Sequence, residues 1–231
     1  MRTAALILAG GRGERMGREV PKQFLPLGGE PLIRRTTRPF ETSKGIDRLV
    51  LVVPEDWVEG TRRIMQGTAK PLEVVPGGAT RQLSSLRGLK ALEGSPPDYV
   101  LIHAGVRPFV TVEMIEEVLS FAPRAVTFAL RATETLVEVE GGRVQGVLDR
   151  ERVYHVQTPQ GFPFAEILKA HLEAQRDGLK EAPDDASLLL RLGGEVWVLE
   201  GDPRNLKITF AADLQLAEAL LKTSLQGPRG G

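Results

Sequence analysis

Five short, nearly continuous apolar runs punctuate the first 130 residues of this chain: Ala4 to Leu8, Arg48 to Val53, Leu72 to Val75, Tyr99 to Ile102 and Ala125 to Leu130. A strand that is apolar on every residue is covered on both faces, and that happens when helices connect parallel strands. The intervening segments read as those helices. They are expected at Pro31 to Thr42, Trp57 to Met65, Thr80 to Leu92 and Thr111 to Phe121. In the third, Leu83, Leu86, Leu89 and Leu92 form one stripe and Thr80 can cap the start. Strand and helix in alternation imply right-handed βαβ units and a mainly parallel sheet. A strand at Val153 to Gln157, helices at Pro163 to Arg176 and Asp185 to Leu192, a strand at Glu195 to Leu199 and a last helix from near Thr209 complete the pattern. In such sheets ligands bind beyond the carboxyl ends of the strands.

One segment departs from the alternation. Thr135 to Glu140 and Arg143 to Leu148 flank Gly141-Gly142, the signature of a β-hairpin with a two-residue turn. A lone ribbon of two strands is marginal in water. This one either folds back on its own domain or embraces a second subunit. The chain therefore reads as one domain over 1–231, with an arm at 133–154 and a loose tail at 224–231.

The 231 residues suffice for one α/β domain with a real core. Thirty basic and thirty acidic residues cancel, so no global field draws nucleic acid, and an anion site must come from local clustering. With no cysteine, thiolate catalysis and disulfides are excluded. His103, His155 and His171 lie too far apart for ligand spacing, His103 reads as structural, and Trp57 and Trp197 read as packing residues. The opening apolar run is too short for a leader and is followed at once by charge. Nothing approaches the ~20 apolar residues of a membrane span, so a cytoplasmic protein is expected.

The first apolar run leads into LAGGRGERM at Leu8 to Met16, then Pro21-Lys22-Gln23-Phe24. Glycines let a backbone turn sharply and bring its N–H groups close to an anion. Arg12, Arg15 and Lys22 add cations, and the combination suits a triphosphate. A Walker loop would need Gly-Lys-Ser/Thr, and a dinucleotide loop a third glycine where Met16 stands.

Together with PGGATRQLSSLRGL, VLIHAGVRP, DRERVYHVQTPQGF, DDAS and NLKIT, taken in order, these blocks make the chain similar to the 2-C-methyl-D-erythritol 4-phosphate cytidylyltransferases of the non-mevalonate isoprenoid pathway. The resemblance runs from Ala4 to about Leu221. It implies a bacterial enzyme with a Rossmann-like, glycosyltransferase-A-like α/β fold and a protruding β-hairpin arm. It implies that Ala9, Gly10, Gly11 and Gly13 wrap the phosphates of CTP, and that Arg15 and Lys22 stabilise the reacting phosphorus. Gly77, Gly78, Ser84 and Gly105 would meet the nucleotide, with Arg107 below it, and Thr135, Arg150 and Lys207 would take the polyol phosphate. It further implies Mg2+ carried mainly by the CTP phosphates and a homodimer in which the arm brings Thr135 and Arg150 to the partner's site. Pyrimidine selection would use backbone carbonyls near Pro76 to Gly78; from helix position alone, Ser84 reads as an ordinary exposed residue.

Two blocks depart from the family pattern. Ala104 stands where an aspartate beside the magnesium is usual, and Pro183 where the family begins its DDAS block with threonine. Asp184 and Asp185 read as helix caps. A sister activity on ribitol 5-phosphate and a nucleotide-binding module without catalysis stay open on these residues.

Overall fold

The computed structural model describes residues 1–11, 20–179 and 181–225. In chain order the strands and helices are β1 (Thr3–Leu8), β2 (Pro26–Leu27), β3 (Glu30–Pro31), α1 (Leu32–Thr42), β4 (Arg48–Val53), α2 (Val58–Ile64), β5 (Leu72–Pro76), α3 (Arg81–Ala91), β6 (Tyr99–Ala104), α4 (Val112–Ser120), β7 (Val126–Arg131), β8 (Val137–Glu140), β9 (Arg143–Val147), β10 (Tyr154–Pro163), α5 (Phe164–Arg176), α6 (Asp185–Arg191), β11 (Trp197–Glu200) and α7 (Ala211–Leu225). Seven strands form one sheet in the order β11-β7-β10-β6-β1-β4-β5. All neighbours are parallel except β10, which runs antiparallel to both β6 and β7.

The apolar runs predict this core directly. Along β1, Ala5 and Ile7 join a cluster with Ile33, Phe40, Met114 and Val118 of α1 and α4. Ala4, Leu6 and Leu8 join the opposite cluster with Leu89, Ile167 and Leu188 of α3, α5 and α6. Strand residues alternate between faces, so a sheet with helices on both sides needs every residue apolar. Thr80 and Thr111 cap α3 and α4 as expected, each side chain accepting from the N–H three residues on.

Three differences from the sequence reading stand out. The strand expected at Val153 to Gln157 continues to Pro163, because a register shift between Gln157 and Gln160 absorbs the Pro159 that reads as a break. The small β2–β3 hairpin carries no apolar run long enough to announce it. The tail expected at 224–231 begins inside α7, and 226–231 lie outside the described residues.

The hairpin forms with Gly141 and Gly142 both at positive φ, as a two-residue turn of this kind requires. Its strands pair only with each other, and nearly all their residues are exposed. It does not fold back on its own domain.

Candidate functional site

A cleft of about 430 Å³ opens at the carboxyl ends of β1, β5 and β6. The chain leaves β1 toward β4 and β5 on one side, then crosses to β6 on the other. This reversal of strand order opens the crevice that open α/β sheets use for ligands.

The floor is backbone. Ala9 N–H donates to Val52 O, Gly77 N–H to Val53 O and Gly105 N–H to Leu8 O, so the ends of four strands, β1, β4, β5 and β6, are tied into one surface. Gly10 and Gly77 approach so closely that a Cβ on Gly77 would lie 3.2 Å from Gly10 Cα. A Cβ on either would also meet Ser84 Oγ at 3.0 Å. A side chain at either position would have to push its neighbours back by a few tenths of an ångström. Ser84 is buried rather than exposed, and its hydroxyl serves the turn. It accepts from Gly78 N–H at 3.0 Å and donates to Thr80 O at 2.9 Å. One lone pair of Gly77 O is taken by Arg87 Nη1 at 2.6 Å. Gln23, fully inside, fixes the loop from below: its Nε2 donates to Ala9 O at 2.5 Å and to Gly11 O at 2.9 Å.

The walls carry charge. Lys22, Arg81 and Lys207 line the cleft, and among its described lining residues there is no carboxylate. Lys207 sits on the loop after β11, which is braced from behind. Asn205, fully buried, donates to Thr158 O at 2.8 Å, Ile208 N–H donates to Val106 O at 2.9 Å, and Arg107 Nη1 donates to Asn205 O. Arg107 also reaches Val156 O at 3.4 Å. The family resemblance also puts Arg107 among the substrate-binding residues; here its guanidinium is buried, is not in the cleft wall, and braces the backbone. Burial lowers its pKa to about 10, which leaves it charged at neutral pH.

His103 closes a second brace. Arg107 O can only accept, so His103 Nε2 donates to it at 3.1 Å, and Nδ1 of the neutral ring accepts at 2.9 Å from Thr158 Oγ1, which itself accepts from Ala104 N–H. Burial lowers its pKa to about 3, against the raising effect of the Arg107 carbonyl. His103 is thus a neutral structural residue, as its place at a strand end suggests.

Asp184 and Asp185 divide their roles. Asp184 caps α6, accepting from Ser187 N–H at 2.9 Å. Asp185 is no cap. It is fully buried, pairs with Arg81 at 2.5 Å, and accepts from Ser85 Oγ at 2.6 Å and His171 Nε2 at 2.9 Å. Burial alone raises such a carboxyl, but Arg81, His171 and Ser85 outweigh it and hold Asp185 well below the usual carboxylate range.

Arg12, Gly13 and Arg15 lie outside the described residues. The rest of the cleft is a glycine-floored, cation-walled pocket at a nucleotide position, and a family model answers to it: "IspD: 2-C-methyl-D-erythritol 4-phosphate cytidylyltransferase" matches residues 3–223. The chain belongs to the 2-C-methyl-D-erythritol 4-phosphate cytidylyltransferase family. A relative of that name from Thermotoga neapolitana is 40% identical over 222 residues, covering 94% of this chain and 96% of its own. Among solved structures, 4-diphosphocytidyl-2C-methyl-D-erythritol synthase from Anaerococcus prevotii shares 29% identity with a TM-score of 0.84, covering 96% of each chain. The cytidylyltransferase from Thermus thermophilus shares 36% identity with a TM-score of 0.77, covering 96% of this chain and all of its own.

Two residues that the family pattern implies lie elsewhere in this cytidylyltransferase-family chain. Thr135 and Arg150 line a separate cavity of about 380 Å³ at the root of the arm, where Arg150 Nη1 reaches Thr133 O at 3.5 Å. Among the described residues the cleft gives a magnesium ion no carboxylate ligand. The described residues contain no cluster of three metal-ligating side chains, and Ala104 offers the cleft only a methyl group. Gln23, Arg81 and Thr158 carry no role in the sequence reading, and Asp185 only that of a cap. The adjacency of Arg81 to the capping Thr80 was the one available signal, since a residue opening a helix beside a Gly-Gly turn faces whatever the turn holds.

Proposed function

We propose that this chain transfers CMP from CTP to 2-C-methyl-D-erythritol 4-phosphate and releases pyrophosphate. The observation that carries the reading is the cleft: Lys22 and Lys207 in the walls above a glycine floor, a lining whose chemistry suits a triphosphate. A phosphate oxygen of the acceptor attacks the α-phosphorus, the α–β phosphoanhydride bond breaks, and pyrophosphate departs with its electron pair. The attacking oxygen is already deprotonated at neutral pH, so no strong general base is required. What the reaction needs is cations that offset repulsion between two anions and stabilise the charge that builds at the transition state. Fixed side chains on a rigid floor do both, and they also position the reactants.

Magnesium enters this proposal as part of the substrate, held by the phosphates of CTP and by water. A homodimer completes it. The arm exposes Val137, Val139, Val144, Val147 and Leu148, a surface unusual for a ribbon in water. A second copy covering it would bring Thr135 and Arg150 to the neighbouring cleft. No helix among the described residues is long and apolar enough to cross a membrane, and a cytoplasmic location is part of the same proposal.

The test mixes protein, CTP, Mg2+ and methylerythritol phosphate and follows pyrophosphate, with ribitol 5-phosphate as the competing acceptor. Faster turnover on ribitol 5-phosphate would shift the acceptor. Ala104 favours one second reading, a module that binds CTP without turning it over; CTP binding with no pyrophosphate from either acceptor would select it.

A further inference from the structure

We propose that Arg81 grips the phosphate tail of the nucleotide, and that Asp185, sealed behind it, is the residue that holds Arg81 in position. This rests on the CTP reading above and extends it to residues that reading does not use. Arg81 opens α3, lines the cleft, and keeps 31% of its side chain exposed, while Asp185 on α6 has none. One Nη is spent on Asp185 Oδ2, and the guanidinium makes no other hydrogen bond among the described residues. A guanidinium is a planar fork that engages two anions at once, here a carboxylate behind and a phosphate in front.

The carboxylate is itself fixed. Its second oxygen takes the hydroxyl of Ser85 and the ring of His171, both buried. A carboxylate only accepts, so His171 carries its proton on Nε2. His171 Nδ1 is then left buried with no partner among the described residues. That is a costly arrangement for mere stability, because well-packed apolar residues serve a core as well as a buried ion pair. It is well suited to presenting a cation whose rotamer is set before the ligand arrives, which removes an ordering cost from binding. Arg81 opens α3 one turn before Ser84 and lines the same cleft as Gly10 and Gly11, whereas Lys207 comes from the loop after β11. The placement assigns Arg81 to the nucleotide and not to the acceptor.

Four proteins decide this: the parent, R81M, D185N and the double variant, which removes both charges together and leaves no buried ion unpaired. CTP affinity is read by calorimetry, and KM for each substrate by pyrophosphate release. R81M is expected to raise KM for CTP roughly tenfold or more, the worth of a hydrogen bond to a charged group, with KM for the acceptor unchanged. R81K, which keeps charge and loses the fork, should fall between. D185N should raise KM for CTP several-fold alone and add less than about twofold to R81M, since it acts only through Arg81. Should D185N fail to fold, S85A is expected to show a smaller shift of the same kind. A lowered melting temperature with KM for CTP unmoved in R81M would reduce the cluster to a structural tie and overturn the proposal. So would equal effects of D185N with and without Arg81. A parent that binds no CTP overturns the nucleotide reading as well, whereas a parent that binds it as tightly as R81M overturns this inference alone.

Discussion

Lys22 and Gln23 are neighbours with different duties, and they show what a residue type can and cannot announce. Lys22 lines the cleft, and a lysine just after a glycine-rich turn is legible as an anion ligand. Replacing it with alanine should cost about 10²–10³ in kcat/KM, the usual loss when one preorganised charge is removed from a transition state. Pyrophosphate release measures this directly, and an unimpaired Lys22→Ala variant would remove Lys22 from the mechanism. Gln23 was not legible, because its amide bonds carbonyls 14 and 12 residues back and no local pattern records such a partner. Arg107 misleads in the converse way: its charge suggests a ligand, and burial spends that charge on backbone carbonyls. Ala104 invites the opposite experiment. An aspartate there would give the cation-walled cleft its first carboxylate among the described residues. The Mg2+ concentration giving half-maximal rate should fall several-fold, as a carboxylate oxygen is a normal ligand for that ion. A Mg2+ titration at fixed CTP that is unchanged would show that the ion never touches this wall.

At the scale of elements, the apolar runs were enough to place β1, β4, β5, β6 and β7 nearly to the residue. Burial on both faces leaves a continuous signal. β10 was half missed, since its second portion contains Pro159, whose meaning depends on the bulge it occupies. Helix α3 carries the sharpest packing constraint. A Cβ on Gly88 would fall 2.2 Å from Leu6 Cδ1 and 2.8 Å from Val52 Cγ2, so this helix lies directly against β1 and β4. Gly88→Ala should therefore destabilise the fold by about 1–3 kcal/mol despite the better helix propensity of alanine. Thermal unfolding reads the sign: a variant more stable than the parent would mean that α3 can shift outward without loss.

Over the whole molecule, acid is the vulnerable direction. His103 is neutral in the fold, its pKa lowered by burial from 6.5 to about 3, so the unfolded chain takes up a proton first as pH falls. The stability it contributes is full above about pH 6.5 and drains away toward pH 3. Asp185, held below the usual carboxylate range, adds a loss that begins only below its unfolded value of 3.8. Unfolding free energies from urea titrations should be flat from pH 7 to 9 and decline by about 1.4 kcal/mol per pH unit below 6.5. His103→Gln should lower the plateau yet flatten that decline; an identical slope would assign the proton elsewhere. Assembly is the other whole-molecule property. Sedimentation should give twice the chain mass for the parent, and the chain mass once β8 and β9 are replaced by a short linker. The sequence showed that the ribbon exists, from its two glycines, but not that it stands clear of its own domain. The single reversed strand explains why it can stand there. Because β10 runs against β6 and β7, the chain leaving β7 need not cross the sheet to re-enter it, and the segment between is relieved of any duty to the core. The length and surface of the ribbon from Val137 to Val147 are then open to alteration by natural variation or by design, while the sheet and its cleft keep their packing.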